Sequence, residues 1–154
     1  MRVLGIDPSL KCTGLVLLDT KTGKIIVRRI RLKSAPGFDH LLALRQEMKR
    51  HLIALKPDVI SIEDPFIYRG RISGATRTFY YHAILRQLFS EYNIAFYEYP
   101  PKKWKKLFTA NGNAGKGDVV WKVLCDFGYK FYSNDLADAF GLSKAYASSY
   151  AGEK

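Results

Sequence analysis

Apolar residues in the first part of the chain form short runs that are spaced like strands. Residues 3–6 are a short apolar run, which is typical of a strand in the centre of a sheet. Residues 13–19 predict a second strand, and the turn-forming residues 19–23 predict a hairpin that leads into a third strand at 25–33. Apolar and basic side chains alternate in this third strand, which indicates an antiparallel strand near the sheet edge.

The rest of the chain alternates helical and strand patterns. Leu41, Leu44, Met48 and Leu52 recur at helical spacing and predict a helix over residues 38–56. Further strands are predicted at 58–63 and 94–99, further helices at about 73–92, just after Pro100, at 118–126 and at about 134–149, and loops at 64–74 and 109–117. We therefore expect one α/β domain over residues 1–154. Its core is a mixed five-stranded sheet, with three antiparallel strands followed by two parallel ones, flanked by helices.

The chain is strongly basic, which restricts the kind of partner that it is expected to bind. Lys and Arg total 25 against 14 Asp and Glu, a formal net charge of +11. This charge favours a polyanion, nucleic acid first, with an anionic membrane surface or an acidic protein as alternatives. No apolar stretch approaches the ~18 residues of a membrane span, and the N-terminal segment is too short and too soon acidic for a signal peptide. We therefore expect a cytoplasmic protein with no membrane contact.

Four acidic residues stand at the ends of predicted core elements, where a buried charge is normally unfavourable. Asp7 follows the first strand, Glu63 ends the fourth, and Asp135 and Asp138 lie in the first turn of the last helix. Strands one and four are expected to be parallel, and active sites in open α/β sheets lie beyond the carboxyl ends of parallel strands. Carboxylates gathered there repel one another unless a cation lies between them. Oxygen ligands without a Cys/His set predict Mg²⁺, with Mn²⁺ able to substitute.

Each of these acids also has a purely structural explanation. Asp7 and Glu63 precede proline-containing segments and are consistent with simple turns. Asp135 and Asp138 are favoured in a first helical turn by the helix dipole alone. The alignment of two strand ends with one helix start nevertheless favours a shared metal site over four separate coincidences.

Basic and aromatic residues fall in two segments that suggest contacts with nucleic acid. Lysines flank Trp104 at the start of the short helix, where they predict either a phosphate-binding edge or an ordinary solvated helix face. These lysines are Lys102, Lys103, Lys105 and Lys106. The loop after Glu63 carries Phe66, Tyr68, Arg69 and Arg71. Its aromatics are expected either to anchor the loop or to stack on unpaired bases.

The motifs of the chain resemble those of the RuvC-type Holliday junction resolvases, especially phage-borne members. The matching segments, in order, are 5–9 (GIDPS) with 13–14 (TG), 62–66 (IEDPF), 104–106 (WKK), 112–116 (GNAGK) and 135–139 (DLADA). This resemblance implies an RNase H-like fold, a homodimer, and Mg²⁺-dependent cleavage of four-way DNA junctions by paired symmetric nicks. It also implies that the four acids are metal-binding catalytic residues.

The resemblance further implies roles for several other residues. Lys105 and Lys116 match catalytic lysines that act near the scissile phosphate, and Phe66 matches an aromatic that stacks at the opened centre of the junction. The helix that contains residues 79–88 corresponds to the one through which the family dimerises. Two positions, Ser9 and Asp64, depart from the usual pattern. Two alternatives therefore remain open, a nuclease for a broader range of branched DNA such as flaps and forks, and a module that binds branched DNA without cutting it.

Overall fold

The computed structural model describes residues 1–33, 37–65 and 72–152 of the chain. Its elements follow the order that the sequence predicts. The strands are β1 (Arg2–Asp7), β2 (Thr13–Asp19), β3 (Ile25–Ile30), β4 (Val59–Glu63) and β5 (Ala95–Tyr99). The helices are α1 (Phe38–Leu55), α2 (Ile72–Glu91), α3 (Pro101–Thr109), α4 (Lys116–Phe127) and α5 (Asn134–Gly152).

The strands form one mixed sheet in the order β3-β2-β1-β4-β5. β1 is antiparallel to β2 and parallel to β4, while β2 and β3 are antiparallel and β4 and β5 are parallel. This arrangement confirms the predicted sheet. The third strand is shorter than predicted, because Ile30 pairs with Thr13, the residue at which β2 begins, and the ladder ends there.

The predicted loop at 109–117 is too long at both ends. Thr109 is the last residue of α3, and Lys116 is the first residue of α4. The carboxylate of Asp118 accepts a 2.8 Å hydrogen bond from the backbone N–H of Gly115, which caps α4 two residues earlier than predicted. The side chain of Lys116 therefore projects from the first turn of a helix and not from a loop.

α5 lies directly against the centre of the sheet, because a glycine lets the two backbones approach. A Cβ on Gly5 would come 1.8 Å from the carbonyl oxygen of Ala139. The hydroxyl of Ser61 on β4 donates a 2.8 Å hydrogen bond to the carbonyl oxygen of Leu142. These contacts hold α5 across both β1 and β4.

The start of α5 is placed by a second glycine. A Cβ on Gly14 would come 2.2 Å from the carbonyl oxygen of Asp135. Gly14 pairs with Asp7 across the β1–β2 ladder. The first turn of α5 is therefore fixed beside the carboxyl end of β1.

The opposite face of the sheet is covered by α1 and α2. Their buried side chains, among them Met48 and Leu85, pack with β1 and β4 residues such as Leu4 and Ile60. Among the described residues, no helix is both long and apolar enough to cross a membrane.

Candidate active site

The structure brings the four acids predicted from the sequence to one cleft. Asp7 comes from the end of β1 and Glu63 from the end of β4, while Asp135 lies in the first turn of α5 and Asp138 follows three residues later. The cleft has a volume of about 370 Å³. Its walls include Asp7, Glu63, Asp135, Asp138, Lys105 and Lys116. The expected convergence of acids and lysines is thus present at the carboxyl ends of the parallel strands.

The cleft disfavours negative charge on Asp7 and Asp138. Burial raises the pKa of Asp7 well above its usual value, and the neighbouring carboxylates raise it further, while Lys116 acts in the opposite direction. Burial, followed by the charge of Glu63, raises the pKa of Asp138 to about 6, against the lowering effect of Lys105 and Lys116. The lysine charges therefore do not outweigh the combined effect of burial and the neighbouring carboxylates on these two acids.

Glu63 is oriented by a hydrogen bond that the sequence analysis missed. The indole N–H of Trp104 donates to the Glu63 carboxylate at 2.6 Å, and Trp104 is fully buried. Burial raises the pKa of Glu63, and this hydrogen bond is the largest effect that lowers it. The available signal was Trp104 itself, because a buried indole N–H usually needs an acceptor.

The two lysines are held by different parts of the fold. Lys105 extends from α3 and its Nζ donates a 2.9 Å hydrogen bond to the carbonyl oxygen of Ala114. This bond ties α3 to the segment that precedes α4. Lys116 lies in the first turn of α4, where backbone N–H groups also favour a negatively charged ligand.

The donor chemistry of the cleft fits a hard divalent cation. All four acids offer oxygen atoms, which are the ligands that Mg²⁺ and Mn²⁺ prefer. Within residues 1–33, 37–65 and 72–152, no group of three His, Cys, Asp or Glu side chains is close enough together to hold one ion. Mg²⁺ commonly takes only one or two carboxylates and completes its shell with water and substrate phosphate. The acid set is therefore compatible with Mg²⁺ bound by pairs of carboxylates.

The structure describes one of the two remaining groups of predicted DNA-binding residues, namely the lysines of α3. Lys102, Lys103 and Lys106 are exposed on α3, and the Nζ of Lys103 lies 5.7 Å from the ring centre of Tyr99. The predicted loop residues Phe66, Tyr68, Arg69 and Arg71 lie outside the described part of the chain.

Comparison with known proteins identifies the family. The model of the family "Crossover junction endodeoxyribonuclease RuvC" matches residues 3–145. The chain belongs to the RuvC family. A RuvC of Caldicellulosiruptor saccharolyticus is 30% identical over 150 residues, with 93% of this chain and 90% of the relative covered. A RuvC of Corynebacterium efficiens is 33% identical, with 93% of this chain and 67% of the relative covered.

A solved RuvC structure has the same fold. The T. thermophilus RuvC in complex with a Holliday junction substrate superposes with a TM-score of 0.84 at 21% identity, over 99% of this chain and 96% of that one. The match confirms the RNase H-like fold expected from the motifs. RuvC membership likewise confirms the resemblance, and it makes this chain a member of an endodeoxyribonuclease family.

One residue of this RuvC-family cleft has no signal in the sequence. The chain's 3 histidines share no ligand spacing, so the sequence assigns His82 to no site. In the structure His82 is 1% exposed and, with Thr78, lines the same cleft as the acids. A helical pattern shows which side faces inward but does not show that this side borders a cleft.

Proposed function

We propose that this chain is a divalent-metal-dependent endonuclease that resolves four-way DNA junctions by paired symmetric nicks. The observation that carries the proposal is the gathering of four acids and two lysines in one cleft at the carboxyl edge of the sheet. Membership of a crossover junction endodeoxyribonuclease family supports the same conclusion. A relative with the same fold was solved in complex with a Holliday junction.

The four acids are the proposed metal ligands and catalytic residues, with Mg²⁺ as the expected ion and Mn²⁺ as a substitute. The raised pKa values of Asp7, Glu63 and Asp138 support this assignment. A bound cation would offset both the cost of burying their negative charges and the repulsion from neighbouring carboxylates. When bound there, divalent metal supplies an activated water and stabilises the leaving oxygen. The protein's own part is to hold the carboxylates in place, as Trp104 does for Glu63.

Lys105 and Lys116 are proposed to stabilise the negative charge that builds up on the phosphate during hydrolysis. The bond from Lys105 to Ala114 restricts its side chain, which reduces the reorganisation needed when substrate binds. Lys116 adds its charge to that of the N–H groups at the start of α4. The two lysines thus approach the cleft from different helices.

The DNA arms are proposed to run along α3. Lys102, Lys103 and Lys106 are exposed there beside the cleft, and contacts to phosphates position a duplex without reading its sequence. The segment that carries Phe66, Tyr68, Arg69 and Arg71 follows Glu63 directly in the chain. We propose that its aromatics stack on unpaired bases and that its arginines bind the backbone near the branch point.

The active form is proposed to be a homodimer that pairs through α2. Phe79 and Tyr80 on this helix are 38% and 58% exposed, and nearby Phe38 is 72% exposed. An apolar cavity of about 200 Å³ is lined by Phe38 and Tyr80 together with Leu10 and Leu41. A two-fold dimer would cover this surface and would present two cleavage sites to a two-fold substrate, as paired nicks require.

The proposal is tested with a panel of labelled DNA substrates. The purified protein is incubated with a four-way junction, a flap, a fork, a linear duplex and an RNA–DNA hybrid, each with Mg²⁺ or with EDTA. We expect symmetric paired nicks in the junction, in Mg²⁺ only. Comparable cutting of flaps and forks would instead identify a broader branched-DNA nuclease. Tight junction binding without any cutting would identify a non-cleaving module.

A further inference from the structure

One row of neighbouring residues crosses the whole sheet at the edge that holds the acids. Asp7 pairs with Gly14 on β2, and Gly14 pairs with Arg29 on the edge strand β3. On the other side of β1, Glu63 ends the adjacent strand β4 and pairs with Tyr99 on the opposite edge strand β5. The two acids thus stand in the middle of the sheet, with Arg29 on one edge strand and Tyr99 on the other.

The side chain of Arg29 lies on the same side of the sheet as α5. Successive side chains of a strand point to opposite faces of the sheet. Val27, two residues earlier, packs in the apolar cluster on the α5 side, whereas Ile30 packs in the cluster under α1 and α2. Arg29 therefore shares the α5 side with its partner Gly14, whose missing side chain makes room for the backbone of Asp135.

The register also sets the distance between Arg29 and the proposed metal site. Neighbouring strands lie about 4.8 Å apart, so the Cα atoms of Asp7 and Arg29 are about 10 Å apart. Phosphates of one DNA strand follow one another at about 3.4 Å of helix axis, so a strand carries about three phosphates over that distance. A strand that leaves the cleft toward β3 therefore carries a phosphate past Arg29.

The charge of Arg29 is available for such a ligand. Its side chain is exposed, and within the described residues it makes no ion pair. The other end of the row also carries a cation, since the Nζ of Lys103 lies 5.7 Å from the ring centre of Tyr99. Positive charges thus stand on both sides of the acids, where they can bind the phosphates of a strand that crosses the sheet edge.

We propose that Arg29 binds a backbone phosphate of the cleaved strand on the β3 side of the cleft, opposite the lysines of α3. This inference rests on the proposed nuclease function, and it adds to that function a second contact surface. The strand is then held on both sides of the scissile phosphate, which favours correct placement of that phosphate over the acids.

Arg28 offers a matched control for Arg29. It is the preceding residue of the same strand, it is exposed, and it has the same charge. Its guanidinium donates a 2.8 Å hydrogen bond to the carbonyl oxygen of Val27. The pKa of His51 on α1 is lowered by burial first and then by the charge of Arg28, in keeping with a position of Arg28 on the α1 side. Charges on an edge strand also prevent pairing with another sheet, and Arg28 and Arg29 would share that role equally.

The salt dependence of junction binding tests the contact. Arg29→Gln, Arg28→Gln and Arg29→Lys are each made in an Asp7→Asn background, and the Kd for a labelled four-way junction is measured by fluorescence anisotropy in Mg²⁺ over a range of KCl concentrations. Each lost phosphate contact lowers the slope of log affinity against log salt by about 0.9, or by about 1.8 for the two Arg29 side chains of the proposed dimer.

We expect this smaller slope in Arg29→Gln, together with about three- to ten-fold weaker binding at low salt. Arg29→Lys should keep most of the slope, because it keeps the charge, and Arg28→Gln should keep all of it. Equal slopes in Arg28→Gln and Arg29→Gln would overturn the proposal, because the charge of the edge strand alone would then explain both.

A titration of cleavage with Mg²⁺ separates DNA binding from an effect on the acids. If Arg29 offset the charge of nearby Asp135 instead, Arg29→Gln in the otherwise wild-type protein would change the Mg²⁺ concentration needed for half-maximal cleavage. The salt slope of binding would then stay at its value with Arg29 intact. That combination of results would also contradict the proposal.

Failure of this inference is distinguishable from failure of the proposed function. A wild-type protein that cuts no junction in Mg²⁺ would remove the nuclease function itself. A wild-type protein that cuts junctions, with Arg29→Gln binding them as Arg28→Gln does, would remove only the contact proposed for Arg29.

Discussion

Neutralising Asp138 is expected to stabilise the metal-free protein while it abolishes cleavage. Burial and the charge of Glu63 raise the pKa of Asp138 from 3.8 to about 6. Between these two values the folded protein holds a proton that the unfolded chain has already released. The free energy of unfolding therefore falls as the pH rises through this window, and the loss is complete above the folded pKa.

The size of the effect follows from this difference in pKa. A difference of about 2 corresponds to about 3 kcal/mol, and because Asp138 is partly exposed we expect a gain of about 1–3 kcal/mol in Asp138→Asn. For a chain of this length that gain raises the melting temperature by roughly 3–10 °C. The gain should be full at pH 8 and small at pH 4, where wild-type Asp138 is itself protonated.

Thermal unfolding in EDTA measures this difference across the pH range. Asp39→Asn is the control, since Asp39 is an exposed helical acid that does not line the cleft. It should lower stability by less than about 1 kcal/mol through the helix dipole alone. Mg²⁺ should then stabilise the wild type and narrow its gap to Asp138→Asn, because only the intact site binds the ion well.

Two results would refute this reasoning. An Asp138→Asn protein that is no more stable than the wild type at pH 8 in EDTA would mean that burial and the charge of Glu63 do not destabilise the ionised carboxylate. A difference in stability that does not change between pH 4 and pH 8 would mean that ionisation of Asp138 is not its source.

Three further predictions follow from individual contacts. Trp104→Phe removes the hydrogen bond to Glu63 and therefore raises the pKa of that acid further. In a profile of cleavage rate against pH, the acid limb should move to higher pH, and the rate on that limb should fall about ten-fold. Gly5→Ala forces the new methyl against the backbone of α5, and urea unfolding should show a loss of about 3 kcal/mol or more. Tyr80→Asp places a charge on the proposed dimer surface, and analytical ultracentrifugation should show at least a ten-fold weaker dimer.

Each of these variants has a control elsewhere in the chain. Phe108→Leu disturbs the same buried cluster as Trp104→Phe but keeps the indole that donates to Glu63, so it should lower stability and leave the pH profile in place. Gly37→Ala adds a methyl where nothing lies within 4 Å, and its stability should stay within about 0.5 kcal/mol of the wild type. Trp121→Asp changes an exposed aromatic on α4 and should leave the dimer intact. A control that behaves like its partner variant would remove the corresponding explanation.

The placement of the acids was predictable because it depends on local patterns. Asp7 and Glu63 end apolar runs that only a buried strand explains, and the parallel pairing of those strands follows from the helix between them. The small residues Gly5 and Ala139 also signal that α5 can lie close to the sheet. The predicted positions of strand ends and helix starts were therefore enough to predict that the four acids lie close together.

Contacts between distant elements were not predictable in the same way. The bond from Trp104 to Glu63 depends on how α3 is placed after β5, which no periodicity encodes. The burial of His82 beside the cleft depends on how α2 packs against the sheet. The end of β3 was missed because a strand ends where its neighbour ends, and an alternating pattern at 31–33 continues past that point.

Junction cleavage by wild type and Asp7→Asn tests the central claim most directly, namely that the clustered acids form a metal site for DNA hydrolysis. Both proteins are incubated with an end-labelled four-way junction in Mg²⁺, and binding is measured on the same samples by gel shift. We predict symmetric nicks from the wild type and none from Asp7→Asn, with junction affinities within about three-fold of each other. An Asp7→Asn protein that cuts at the wild-type rate would contradict the account.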